Sequence, residues 1–337
     1  MNIGFLVNQT HKELAEYTTT GLAFEAFRRG HRVFYIGVGD LAYLANGQVG
    51  AHARAVPDTE FLTPSAMLEA IRTCKKELLS ASMLDVLLLR NDPTVDLESR
   101  PWAQDAGIVF GQLASLQGVT VLNNPHGLVY ASSKMYLQYF PEKIRPDTII
   151  TRHVADVEAF YRDQGRRIIL KPLKGSGGKN VFLIDKRDEK NMKQIVEAIC
   201  RDGFAIAQQY LPNAQKGDIR LFLINGEELS ADGQPAAIRR VQKQGDIRSN
   251  IHQGGHACKV MLNKQILDLV DVVSPKLKAD GMFLVGLDIV GDKLMEINVF
   301  SPGGLGHAAN LHQADFFQVV IQNITQMVAA TATTKDG

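Results

Sequence analysis

Cysteine is scarce. The 337 residues carry only Cys74, Cys200 and Cys258, odd in number and far apart. That spacing excludes a disulfide framework and a cysteine zinc knuckle, and it fits a reducing cytoplasm. Long hydrophobic runs are missing too: stretches such as 83–89, interrupted by Asp85, are strand-sized and too short for a bilayer. The opening Met1-Asn2-Ile3-Gly4-Phe5-Leu6-Val7-Asn8 has neither the basic start nor the apolar length of a signal peptide. No charge sign dominates. A formal net charge of +1 gives no reason to expect nucleic acid or an acidic membrane as partner. The chain holds no Gly-x-Ser-x-Gly elbow, no His-Glu-x-x-His pair, no internal repeat and no low-complexity tract. Its nine histidines do not cluster at zinc spacing; His252 and His256 are four apart but fall in an expected loop.

What is present is the composition of an ordinary globular protein, 45% apolar and long enough for two or three packed domains. Strands expected at 3–7, 33–36, 85–89 and 119–122 alternate with helices at 18–29 and 103–116. That alternation argues for an open parallel sheet. Asn123-Asn124-Pro125 then breaks the pattern and marks a domain boundary. Beyond it a helix at 134–139 is capped by Ser132 or Ser133, followed by strands at 148–151, 167–173 and 181–184. A helix at 189–201, strands at 205–210 and 218–224, and the turn Asn225-Gly226 come next. A polar, glycine-containing stretch covers 239–255. It precedes a helix at 264–279, strands at 283–290 and 294–300, a closing helix at 309–328 and an unstructured tail from Thr331.

Three constellations carry chemistry. In the hairpin, a three-residue turn Gly291-Asp292-Lys293 sets Asp288 opposite Glu296, with Asn298 further along the same face. Two facing carboxylates need a compensating cation, and Mg²⁺ shared with phosphates fits; the alternative is a solvated outer face. Second, Lys171 lies on an otherwise apolar strand, and Lys174-Gly175-Ser176-Gly177-Gly178-Lys179-Asn180 follows. The glycines let main-chain N–H groups approach an anion, although Asn180 breaks both the Walker A and the dinucleotide fingerprints. The bland reading is a hairpin loop. Third, Arg220, Arg239, Arg240 and Arg248 suit forked contacts with phosphate or carboxylate, or are surface arginines. Arg90-Asn91-Asp92-Pro93 stands where open parallel sheets bind ligands, and could equally be a strand-end turn.

In this order the segments resemble the ATP-grasp superfamily, most closely bacterial glutathione synthetase. The resemblance runs through Arg28-Arg29-Gly30, Gly39-Asp40-Leu41, Leu89 to Pro93, Asn124-Pro125, the Lys134 helix, Ile169 to Leu173, the glycine loop, Gln208 to Pro212, Gly217-Asp218, Arg240, Arg248-Ser249-Asn250 and the hairpin with Ser301-Pro302. It implies an α/β (α+β) chain: an N-terminal open parallel-sheet domain (1–124), then a two-lobed ATP-grasp fold split at 125–204 and 205–337. It also implies an ATP-dependent ligase that phosphorylates a carboxylate and lets an amine attack the acyl phosphate. Lys134, Lys171, Gly175, Ser176, Gly177, Gly178 and Asp218 would then hold ATP, with Gln208, Gln209, Tyr210 and Leu211 along adenine. Asp288, Glu296 and Asn298 would hold two Mg²⁺ ions, with Mn²⁺ as a substitute. Arg220, Arg240, Arg248 and Asn250 would face the reacting groups; Arg90, Asp92, Ser301, Gly303 and Gly304 would bind substrate. The loops at 174–180 and 239–255 would act as lids that keep water from the acyl phosphate. The partners implied are a small-molecule carboxylate and amine, with no nucleic acid or membrane, and a homo-oligomeric state is left open.

One position departs from the pattern. Bacterial glutathione synthetases usually follow Ser-Pro with threonine and an arginine-glutamate pair; here the run is Gly303-Gly304-Leu305-Gly306-His307, with Gly306 at the arginine position. ATP chemistry is untouched, and the peptide substrate is opened to change. Another ATP-grasp amino-acid or peptide ligase, or a regulatory ATP-binding module without catalysis, are the competing expectations.

Overall fold

The computed structural model describes residues 1–175, 177–241 and 255–335; the expected site residues Ser176, Arg248 and Asn250, with His252 and most of the expected second lid, lie outside these. The first layer is a seven-stranded sheet. Its parallel centre is β1 (Asn2–Val7), β2 (Arg32–Gly37), β6 (Val86–Leu89) and β7 (Thr120–Leu122), in the order β2-β1-β6-β7. Helices α1 (Thr18–Arg28) and α3 (Ala106–Leu116) provide crossovers. The alternating residues of β1 divide between two cores. Ile3, Phe5 and Val7 pack with α1, while Leu6 joins the core that contains α3. A strand covered on both faces reads as a continuous apolar run, which is why the sequence exposed it.

Residues 41–80, to which the sequence assigned no element, add an antiparallel extension: β3 (Leu41–Tyr43), β4 (Val49–Ala55), α2 (Pro64–Thr73) and β5 (Glu77–Ser80). Their small and charged side chains carry little period-two signal.

Helix α4 (Pro125–Tyr130) and a 3-10 turn at Lys134–Tyr139 lead into a four-stranded antiparallel sheet. It consists of β8 (Thr148–Thr151), β9 (Ile168–Pro172), β10 (Phe182–Ile184) and β11 (Ala205–Gln209), backed by α5 (Val154–Asp163) and α6 (Met192–Cys200). The third sheet centres on β12 (Asp218–Ile224), with short β13 (Glu227–Glu228) beside it; β14 (Ser230–Ala231) and β15 (Gln234–Pro235) form a separate hairpin. β16 (Ala237–Val241), β17 (His256–Lys259), α7 (Lys264–Ala279), β18 (Leu284–Val290) and β19 (Lys293–Asn298) complete it. His256 is thus on a strand rather than in the expected loop.

Two expectations near the C-terminus change. The closing helix is two helices, α8 (Leu305–His312) and α9 (Phe316–Lys335), separated at Gln313, whose φ of 53° ends the first. α9 continues into the segment expected to be an unstructured tail. It packs back on α1, where a Cβ at Gly21 would collide with the Phe317 ring. The first and third sheets are also joined by Asn123. Its amide donates to the Leu284 carbonyl (3.1 Å) and accepts from the Leu284 N–H (2.8 Å), so the residue that breaks the parallel pattern also anchors β18.

Candidate active site

The second and third sheets enclose a cleft of about 480 Å³, within the usual range for a small-molecule site. From the second sheet come Lys171 and Gln208. The β9–β11 register pairs Lys171 with Ile206, so Lys171 and Gln208 share a face, and Lys171 Nζ donates to Gln208 Oε1 at 3.0 Å. Burial lowers Lys171 to about 8; Glu296 opposes the shift and Lys134 adds to it. Lys134 Nζ donates to the Gly175 carbonyl and stands 4.0 Å from Glu296 Oε1. The cleft also has an apolar wall, including Ile169, Leu183, Leu211, Val290 and Met295, beside Tyr210. The Arg167 guanidinium lies 4.0 Å from the Tyr210 ring centroid. A cationic end joined to an apolar slot suits a flat base carrying a polyanion.

From the third sheet come the acids and arginines. The hairpin register sets Asp288 opposite Glu296 and Gly286 opposite Asn298. The route differs from the expected three-residue turn. Only Gly291 and Asp292 lie between the strands, and a register shift next to Ile289 leaves Met295 as the extra residue. Asp288 is buried, and its compensating cations are guanidinium groups of the chain itself. Arg220 grips it through Nε–Oδ1 and Nη2–Oδ2 (2.9 Å), and Arg240 Nη2 reaches Oδ2 at 2.8 Å. Burial alone would raise the carboxyl, but Arg220 and Arg240 outweigh it and hold Asp288 at about 2. Arg240 also forks onto Asp218, with both bonds at 2.7 Å. Burial opposes its charge, yet Asp288 and Asp218 together raise it well above the ordinary arginine value.

These residues fit a hard divalent cation that is shared with phosphates. Such ions take oxygen ligands and keep few protein donors. Glu296 is half-exposed to the cleft, and the Asn298 amide sits beside Asp288, with Nδ2 3.4 Å from its Oδ2. Among the described residues there is no cluster of three histidine, cysteine or acidic side chains.

A contiguous recess of about 100 Å³ shares Lys134, Lys171, Glu296 and Asn298 and adds Asp92 and Ser301. Asp92 forms a strand-end turn: its Oδ1 accepts from Thr94 N (2.8 Å) and Oγ1 (2.6 Å). Arg90 is buried, donating from Nε to Thr19 Oγ1 (3.1 Å) and from Nη2 to the Pro302 carbonyl (3.3 Å). Arg220 Nη1 holds the Gly303 carbonyl at 3.0 Å, and Gly304 precedes α8 with φ 104°, a conformation open to glycine. Gly177, Gly178 and Leu211 line the main cleft. Gln209 is absent from its lining, and its Oε1 accepts from Asp147 N. Arg167 was not singled out in the sequence and stands in no motif; Met295, expected from the sequence on the apolar face of the hairpin with Ile297 and Val299, is instead the unpaired residue of the bulge and lines the cleft. Glu13 was missed as well. It is buried near Arg90, with Oε2 unpartnered, and no local pattern marks it.

Comparison with known proteins bears on the whole chain. Residues 1–128 match the prokaryotic glutathione synthetase N-terminal domain, and residues 133–313 match the prokaryotic glutathione synthetase ATP-grasp domain. Similar curated proteins include the glutathione synthetase of Vibrio parahaemolyticus, 33% identical over 283 residues (83% of this chain, 84% of that protein). That of Buchnera aphidicola is 32% identical over 305 residues (90% and 89%). Among solved structures, the D-cycloserine synthetase DcsG has a TM-score of 0.64 at 14% identity, covering 96% of this chain and 99% of its own. The ATP-grasp ligase PsnB with a minimal precursor has 0.60 at 13%, covering 96% and 98%. These structures share the fold. No described helix is long and apolar enough to cross a membrane.

Proposed function

The chain belongs to the prokaryotic glutathione synthetase family, and on that premise we propose that it joins γ-glutamylcysteine to glycine, with a relaxed choice of one partner. It is an ATP-dependent, glutathione synthetase-like ligase that forms an amide bond, acts on small-molecule or peptide substrates, and uses ATP with a divalent metal. The observation that carries the residue roles is the meeting of Lys134, Lys171, Arg220 and Arg240 with Asp288, Glu296 and Asn298 in one cleft that ends in an apolar slot.

In this reading adenine lies along Tyr210 and Leu211, while Lys134, Lys171 and the glycine loop hold the phosphates. Glu296, Asn298 and Asp288 would hold Mg²⁺, two ions with Mn²⁺ as a substitute, and the metal would neutralise charge on the phosphates. Asp288 must then share its oxygens with Arg220 and Arg240, so loading the site would loosen one of these contacts. A substrate carboxylate oxygen attacks the γ-phosphorus and ADP leaves. The amine nitrogen then attacks the acyl carbon and inorganic phosphate departs. Arg220 and Arg240 stabilise the transferring phosphoryl group and the acyl oxygen. Arg90, Asp92 and Ser301 border the carboxylate substrate, with Arg248 and Asn250 as further catalytic candidates. The working compartment is the cytoplasm.

Relaxed selectivity is supported by the loop after β19. A Cβ at Gly303 would meet nothing within 4 Å, and one at Gly306 only ordinary contacts at 3.9 and 4.0 Å. Main-chain N–H groups can still bind a carboxylate there, but they lack the fork and fixed charge of arginine. The test is steady-state kcat/KM over a panel of γ-glutamyl dipeptides and small amines, read as ADP release. Comparable values for several partners in one series are expected. Strict preference for γ-glutamylcysteine with glycine would remove the relaxed reading. Activity only with other amino-acid or peptide pairs would move the chain to a different ligase specificity. ADP release that ignores every amine would point to a module without ligase catalysis.

A further inference from the structure

The first sheet holds a separate cavity of about 200 Å³ at the carboxyl ends of β1 and β2. Open parallel sheets bind ligands at that end of their strands. The lining carries four permanent cations, Arg54, Arg72, Lys76 and Arg100, against one carboxylate, Asp40. Asp40 is engaged by Lys76. Asp96 behind the wall holds Arg100 at 2.7 Å, and the exposed Glu69 holds Arg72 at 2.9 Å. Among the described residues Arg54 has no carboxylate partner; its Nη1 donates to the main-chain carbonyls of Arg72 and Cys74. Arg72 Nε and the buried Thr10 hydroxyl in the same wall, both able to donate to an anion, have no hydrogen-bond partner. Buried polar groups are nearly always paired, and like charges in a concave wall focus their potential on the space between them. Nothing in the ligase reading uses this cavity.

We propose that this pocket binds a small dianion, either a phosphate group or a dicarboxylate, at a site distinct from the nucleotide cleft. The wall is tied to the loop that bears Arg90 and Asp92. Arg100 Nη2 donates to the Asn8 carbonyl (2.9 Å), and Asn8 Nδ2 donates to the Asp92 carbonyl (2.8 Å) and Asp96 Oδ2 (2.7 Å). Occupancy would therefore be felt at the edge of the recess.

Calorimetric titration of the full chain with inorganic phosphate and, separately, succinate tests the site, with and without Mg²⁺ and a non-hydrolysable ATP analogue filling the cleft. With the analogue filling the cleft, one saturable site is expected for at least one probe. Lys76→Gln and Arg54→Gln should each weaken it about tenfold or more, as for a lost charge-assisted hydrogen bond. Arg54→Gln gives up two carbonyl contacts and can unfold; Lys76→Gln, at a half-exposed position, then carries the test alone. Phosphate against succinate separates the two dianion sources. Absence of saturable binding, loss of binding when the analogue is added, or undiminished binding in Lys76→Gln would each overturn the proposal.

Discussion

Glu296 and Asp288 face each other across the hairpin, yet the fold depends on them differently. Among the described residues Glu296 meets another charge only at 4.0 Å, from Lys134, and its side chain is 36% exposed. Glu296→Gln is expected to fold normally while kcat falls on the order of 10²-fold or more, because loss of metal neutralisation raises the barrier by several kcal/mol. Asp288→Asn should instead lower stability by about 3 kcal/mol, since it leaves the guanidinium groups of Arg220 and Arg240 without their buried anion. Thermal unfolding of the two variants side by side separates these effects; equal melting temperatures would contradict the assignment. Lys171 supplies a pH signature. With its ammonium lowered to about 8 by burial, it is cationic below that value and neutral above it. ATP-analogue affinity should therefore be flat at lower pH and fall as pH rises through about 8, and Lys171→Ala should be weak throughout. A second titration belongs to Glu13, raised to about 7 by burial against the opposing effect of Arg90. Its folded value exceeds the unfolded one, so its stabilisation is complete below about 4.5 and lost as pH rises through 7. Glu13→Gln should match wild type near pH 4 and exceed it near pH 8 by up to about 3 kcal/mol, measured by denaturant melts.

At the scale of elements, the hairpin was legible because period-two burial on one face fixes which residues stand opposite. The apolar sets of β18 and β19 determined the Asp288–Glu296 pairing even though the turn is one residue shorter than expected and the bulge was not foreseen. A different signal, the continuous apolar run of a strand buried on both faces, exposed β1, β6 and β12. It failed at β4, whose run of alanine, glycine and charged residues gives no such contrast, and at the end of α8, where Gln313 adopts a left-handed conformation that few sequences announce. The closeness of β12 to β16 was also hidden in the sequence. A Cβ at Gly217 would run into the Arg240 carbonyl, and its φ is +86°. Gly217→Ala should therefore destabilise the protein by more than the ~1 kcal/mol of an ordinary glycine change, and it should weaken nucleotide binding by displacing the Asp218–Arg240 pair. Unchanged stability and affinity in that variant would show that the strands tolerate separation.

For the molecule as a whole, the ligase class could be read from the order of short segments, because several of them, at Lys171, the glycine loop, Gly217-Asp218, Arg240 and the hairpin, bring charged or glycine-rich pieces to the same cleft. The tertiary partners could not. Arg220 and Arg240 are 68 and 48 positions from Asp288 in the chain, and only the pairing of β12 with β18 and β16 brings them to it. The buried Glu13 near Arg90 and the cationic pocket of the first sheet likewise arise from packing between distant elements. The proposed seat of selectivity also belongs to this scale: the glycine run after β19 meets α1, where Leu305 N donates to Thr18 Oγ1 at 3.3 Å. The central claim is that one cleft couples ATP cleavage to amide formation. The most direct measurement is initial-rate ADP release by the wild-type chain with γ-glutamylcysteine, with and without glycine or another small amine, beside Glu296→Gln. The account predicts ADP release that requires both an acyl donor and an amine, matches amide product one for one, and is lost in Glu296→Gln. ADP release without an amine, or undiminished turnover in that variant, would contradict it.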